Sequence, residues 1–397
     1  MSLDRVVNDL VIRFFWFERR IDRFIRPVFD RLLRPPIQAI VQWIVRHRAP
    51  DYGLGLAQEH ILPGEEHITG EIVELMTHFL QRTYPPPEHA ERAGNTKTYG
   101  VVRGELTVRD DVPPELRHGL FSEPVQYPAW VRFSGPGPFT PPDMRDNAIM
   151  SLSAKVMGVP GPKLMPDESA TQDLFSLSAP TFTTPDVVQN VILQSEIGNG
   201  TPVMYHLRPS HLHLCDLIMQ VLYANTVASP LQVPYWGCVS YLLGPGQAMQ
   251  YRFVPRPFPH LKVPRRPGPD YLREAMASTL SRGDVIFDLL VQTQTDPRRM
   301  PIEYAAVIWS THLSSPRPVA TLRLPRQVFD SPAQLAFADV LSYSPWHAMP
   351  EHRPLGNMNR ARRVIYSTLS AARQQLNGVQ HVEPTGEEEF GDDQVDH

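Results

Sequence analysis

The sequence predicts an α+β fold in which an eight-stranded antiparallel barrel is flanked by helices. Three observations carry this. Eight short segments alternate apolar and polar residues instead of running solidly apolar, the pattern of strands with one covered face. A Gly-Pro-Gly link, LGPGQ, joins the fifth and sixth as a hairpin turn. Helical periodicity lies before the strands, between them and after them.

In chain order, residues 1–48 read as a separate basic arm. Phe14, Phe17, Ile21, Phe24, Ile25, Val28 and Leu32 recur at helical spacing. Ten arginines against five acidic residues make the arm net basic. Pro27 and Pro35-Pro36 are expected to break it into pieces. An interfacial helix on an anionic membrane suits this pattern, as does an arm packed on its own domain or on a neighbouring subunit. Residues 68–84 form an amphipathic helix. The strands are 98–108, 129–135, 149–157 and 172–180, then, after a Pro- and His-rich helical stretch, 236–243, 248–256, 286–295 and 317–326. The central domain is set at 49–377. The acidic end, 378–397, has the composition of a disordered tail.

Composition narrows the function classes. A net charge of −4 over 397 residues leaves no nucleic-acid footprint. Cys215 and Cys238 form neither a CxxC pair nor a disulfide framework, which fits a reducing compartment. The first twenty residues carry Asp4, Arg5, Asp9 and Arg13 and no clean apolar signal core. The expectation is a cytoplasmic chain, with peripheral membrane attachment through residues 1–48 and self-association as its further contacts. Forty-two prolines, about twice the usual ~5%, predict long ordered loops.

Several constellations could carry chemistry. His206, His211, His213 and Cys215 have the atoms for zinc, but a helix through this region would splay them. His347 and His352 lie in a Pro-rich loop that would fix them as ligands or as structural groups. On 129–135, Trp130, Arg132 and Ser134 face one way and Val131 and Phe133 the other. His89 stands alone in a Pro-rich approach to the first strand. Arg362, Tyr366 and Arg373, spaced i, i+4, i+11, share one helix face. A guanidinium bonded to the phenol oxygen would favour phenolate, a ligand suited to ferric haem. Arg373 could pair a haem propionate.

The order of these motifs resembles the haem catalase family. His89-Ala90 before Tyr99-Gly100 is similar to the family's distal-histidine segment, and Val131-Arg132-Phe133-Ser134 to its V-R-F-S strand. Arg145-Asp146 with Ala154-Lys155-Val156, Asp173-Leu174 through Pro180 and Phe182, Leu207-Arg208-Pro209 with Leu212-His213, and Arg362-x3-Tyr366-x6-Arg373 follow in the family's order over roughly residues 68–375. The resemblance implies a barrel holding haem b. Tyr366 would be the iron ligand, with Arg362 bonded to its oxygen. His89 would be the acid/base, with Ser134 orienting its ring. Arg132 and Arg373 would hold the propionates.

Two departures shape the expected activity. Leu177-Ser178-Ala179-Pro180 stands where the family has N-N-T-P, so Ser178 must replace an amide donor, through a water. Pro86 replaces an arginine three residues before His89. The loop PWHAMPEHRPLG is similar to that of smaller catalase-related haem proteins. The expectation is therefore a hydroperoxidase or peroxidase acting on H2O2 or organic, including lipid, hydroperoxides with a small-molecule reductant, and only weak catalase turnover. Rearrangement of fatty-acid hydroperoxides, as in allene oxide synthase-like relatives, and a non-catalytic haem-binding, membrane-associated role are the alternatives.

Overall fold

The structure is a computed structural model and describes residues 2–146, 148–259 and 261–390. Two helices open the chain, α1 (Leu3–Leu32) and α2 (Arg34–Arg48), followed by α3 (Glu65–Thr83). Four strands follow: β1 (Thr98–Val108), β2 (Gln126–Ser134), β3 (Ser151–Val156) and β4 (Gln172–Leu177). Next come α4 (Val187–Gly198), α5 (Met204–Leu207) and α6 (Leu214–Tyr223). The second run holds β5 (Tyr235–Trp236), β6 (Ser240–Leu242), β7 (Ala248–Pro255), α7 (Tyr271–Leu280), β8 (Val285–Thr293) and β9 (Arg317–Leu324). The chain closes with α8 (Pro332–Val340), β10 (Pro354–Leu355) and α9 (Asn357–Asn377).

Strands β1-β2-β3-β4-β5-β7-β8-β9 pair antiparallel in a closed ring, β9 returning to β1. Closure removes every edge from this eight-stranded barrel. Beside it, β6 bonds to β7 and β10 to β6. The segment expected as one strand over 236–243 is therefore split, with Gly237 between β5 and β6. A Cβ there would lie 2.8 Å from the Tyr251 ring, so only glycine lets the chain turn at that point.

The barrel interior holds the main core. Val131, Phe133, Leu152, Ala154 and Leu174 point inward with Phe253, Phe287 and Leu322. Period-2 alternation sends their neighbours outward. Three cross-strand rows result: Trp130–Lys155–Asp173, Arg132–Ser153–Phe175 and Ser134–Ser151–Leu177. This outer panel of β2–β4 does not face open water. Trp130, Arg132, Ser134, Lys155 and Asp173 are all buried, because the C-terminal segments cover them.

Two sequence expectations change. Pro27 lies inside continuous α1, and the break falls only at Leu33 before Pro35-Pro36. Pro27 is on the exposed side, where one missing backbone bond is tolerated. The acidic end is ordered through residue 390. Glu383 accepts from the Ser169 and Ala170 amides at 2.8 and 2.7 Å, and Glu388 from the Trp130 indole at 2.8 Å. Phe390 packs on Trp130 and Phe337. Its acids serve as acceptors on the barrel wall; the remainder of 378–397 lies outside the described residues.

Candidate active site

Helix α9 crosses the outer panel. Gly356 precedes it at φ +90°, and the Asn357 amide donates to the Glu303 carboxylate at 2.7 Å. Arg360 anchors the first turn by pairing with Glu59, Glu65 and Glu303. One turn on, Arg362 Nη2 donates to the Tyr366 hydroxyl at 3.2 Å and Nη1 to Asn359 Oδ1 at 2.9 Å. Asn359 is fixed in turn by donating to the Ser240 and Leu355 carbonyls. Burial works against the Arg362 charge, but Tyr366 and Tyr241 more than offset it and hold the guanidinium above its usual range. Its Nε is buried and without a partner. Phe175 stands edge-on to Tyr366, ring centroids 5.5 Å apart. Both rings stay partly exposed in an otherwise buried wall.

Two turns further, Arg373 joins Arg132 and Arg92 in a cluster of guanidiniums. Arg132 Nη1 donates to Ser134 Oγ at 3.0 Å, and Nε and Nη2 to Thr98 Oγ1 at 3.1 and 2.9 Å. Arg92 donates to the Leu341 and Ala338 carbonyls at 2.7 and 3.0 Å. Arg373 Nη1 lies 3.5 Å from the Asp339 carboxylate. Among the described residues, no other carboxylate comes within ion-pair reach of these three. Burial first, and then repulsion from Arg92, pulls Arg132 well below its usual value and Arg373 down to about 10. Asp339 and, at longer range, Glu91 act on the cluster, two carboxylates against three guanidiniums, so it keeps a surplus of positive charge.

The spacing of the two parts is set by backbone geometry. Arg132 and Phe175 sit in one cross-strand row two strands apart, roughly 10 Å. Tyr366 and Arg373 are seven residues apart on α9, again roughly 10 Å. Helix and sheet thus present a phenol at one end and guanidiniums at the other in matching register.

The remaining expected residues are arranged differently. His89 is 55% exposed, its Nε2 lying 2.7 Å from Asp339 Oδ2, at the rim of the arginine cluster. Asn377 Nδ2 lies 3.4 Å from the same nitrogen. Ser134 is not brought to His89: it pairs with Ser151 Oγ at 2.6 Å and accepts from Arg132. Ser178 is buried, its Oγ accepting from the Met150 amide at 2.9 Å, which leaves its proton free to donate. Arg92 escaped the sequence reading because nothing marks one arginine in a Pro-rich loop. It supplies a guanidinium from three residues after His89, whereas the resemblance implied a loss three residues before, at Pro86.

The other histidine candidates have structural partners. Glu168, Asp173 and His347 lie close enough together to hold a metal, alone in this among the described residues. Lys155, however, already supplies a cation there. Its Nζ is 2.9 Å from Asp173, 3.2 Å from His347 Nδ1, and paired to Glu168. His347 Nε2 contacts Asp167 at 3.0 Å. Burial opposes protonation of His347, yet its carboxylate partners raise it to about 9. His352 accepts from the Leu120 amide at 2.9 Å, and burial lowers it to about 4. His206, His211 and His213 each leave one ring nitrogen unpartnered, but they do not converge with other ligand atoms. His213 instead stacks on Tyr205 at 4.4 Å.

An iron porphyrin with two carboxylates fits the donor set. The phenol is supported by a guanidinium, the surplus positive charge lies at the far end of the same panel, and Arg362 Nε is an orphaned buried donor.

No family model matches the chain, and no curated protein does. Solved structures do. A fungal catalase aligns with a TM-score of 0.55 at 16% identity over 83% of this chain and 66% of its own. A bacterial catalase aligns at 0.53, 18% identity, 85% and 68%. Catalase A from Saccharomyces cerevisiae aligns at 0.57, 13% identity, 86% and 73%. The chain thus has the fold seen in catalases and spans about two thirds of the length of the first of them.

Proposed function

We propose that this chain binds haem b through Tyr366 and acts on peroxides as a hydroperoxidase or peroxidase with weak catalase turnover. The Arg362–Tyr366 hydrogen bond carries this reading, placed on the same helix face as Arg373, which joins a cluster of arginines short of carboxylates. When bound, the haem supplies the redox chemistry that splits the peroxide O–O bond. The residues do the rest. Arg362 stabilises charge on the Tyr366 oxygen and so holds the phenol as a ligand. Arg132 and Arg373 would hold the haem carboxylates, which guanidinium suits, with Arg92 as a third donor.

His89 is the group available to take a proton from one peroxide oxygen and to give it to the leaving oxygen. It lies half exposed with Nε2 on Asp339, so its ring has to leave that carboxylate to reach a peroxide. Ser178 offers a hydroxyl where an amide donor is expected, a weaker anchor for the second H2O2 that catalase turnover needs.

The test is to measure oxygen release from H2O2 against dye oxidation and against product formation from a fatty-acid hydroperoxide, using haem-loaded protein. The proposal predicts dye oxidation exceeding oxygen release. Dominant rearrangement of the lipid hydroperoxide would replace it with an isomerase. Haem binding without any turnover would leave a carrier.

A further inference from the structure

Helix α1 is turned inside out. Its thirty residues span roughly 45 Å. The side against the body is polar: Asn8, Arg19 and Asp22 are the buried residues of this helix. Arg19 donates to the Asp143 carbonyl at 2.7 Å, Asp22 accepts from the Thr226 amide at 2.7 Å, and Trp16 donates to the Arg145 carbonyl at 2.9 Å. The opposite side carries Leu10, Phe14, Phe17, Ile21, Phe24 and Val28 in one continuous stripe, Leu10 and Phe24 each 69% exposed. A helix whose packing were driven by burial of apolar surface would face the other way.

The charges are sorted as well. Arg5, Arg13, Arg20 and Arg31 are exposed, and Asp9 is the only exposed acid of α1. The other acids are engaged: Asp4 with Arg208, Glu18 and Asp22 with Arg26, and Asp30 with Arg34. At 100° per residue, Arg13, Arg20 and Arg31 fall along one shoulder of the apolar stripe. On α2, Trp43 is exposed. No helix among the described residues is long and apolar enough to cross a membrane.

We propose that α1 is an interfacial helix that seats this protein on an anionic lipid surface, the stripe entering the acyl boundary and the arginines meeting the headgroups. A second copy of α1 would bring another row of arginines against the first with almost no free carboxylate to pair them, whereas anionic lipid answers both the apolar stripe and the charge. The inference is independent of haem binding.

The experiment uses the full chain and vesicles of phosphatidylcholine with or without about 30 mol % phosphatidylglycerol, read by co-sedimentation. Binding is expected only to the anionic vesicles and should weaken with salt. Phe17→Glu with Phe24→Glu, both at exposed positions, should abolish binding while far-UV circular dichroism and the melting profile stay unchanged. Each of Arg13→Gln, Arg20→Gln and Arg31→Gln should weaken it about fivefold. Equal binding to both vesicle types, no binding, or binding insensitive to the Phe pair overturns the proposal. So does an oligomer in sedimentation velocity that the Phe pair dissolves while vesicles fail to bind, since the occupant would then be a second copy.

Discussion

The phenol side and the histidine side of the candidate site are built in opposite ways. Tyr366, Arg362 and Asn359 share one helix, are linked by hydrogen bonds of 2.9–3.2 Å, and leave little room to move. His89 and Ser178 come from separate segments; one is half exposed on a rim, the other is tied to the start of β3. The side proposed to hold a ligand is preorganised by local geometry. The side that would move protons depends on loops. Changes on the first should therefore alter what binds, and changes on the second what reacts.

His89→Gln gives the largest expected effect on reaction. Peroxidase activity should fall ~10²–10⁴-fold while haem content stays constant. An unchanged rate would remove His89 from the chemistry. Arg362→Met should act on binding, weakening haem affinity ~10–100-fold, measured by transfer of haem to a competing acceptor protein. Arg373→Met sharpens the contrast, because its two effects have opposite signs. Relieving repulsion within the cluster should leave the haem-free protein as stable or more stable in urea, while haem affinity falls about tenfold. If both fell, the cluster would be structural.

A fourth measurement separates the site from the network beside it. His347 is raised to about 9 in the folded protein, above the ~6.5 of an unfolded histidine. Its contribution is therefore fully present below pH 6.5 and is lost as pH rises through 9. Stability in urea should drop across that window by an amount on the order of 3 kcal/mol, and His347→Gln should flatten the drop without changing the haem spectrum. The smallest effect is expected of Ser178→Asn, a modest rise in oxygen release relative to dye oxidation.

What the sequence made legible follows from the same contrast. Seven of the eight predicted strands each correspond to a single strand, because alternation records which face is covered. The eighth was divided by Gly237, a turn that shows only once the Tyr251 ring is in place. The placement of Arg362, Tyr366 and Arg373 on one face could be read from helical spacing. The direction of Arg132 could not. Period 2 says that it opposes Phe133, but not that the outer side of the barrel is itself covered by α8, α9 and the acidic end. Arg92, and the separation of Ser134 from His89, depend on loop paths that leave no periodic trace. The orientation of α1 was equally hidden, since its spacing shows two faces and not which one meets the body.

The central claim is that Tyr366 is the haem ligand, and absorption spectroscopy of the haem-loaded protein tests it most directly, wild type against Tyr366→Phe. The account predicts an intense Soret band in the wild type and, in the variant, its loss or a shift accompanied by a sharp fall in bound haem. A variant with the same spectrum and the same haem stoichiometry would contradict it.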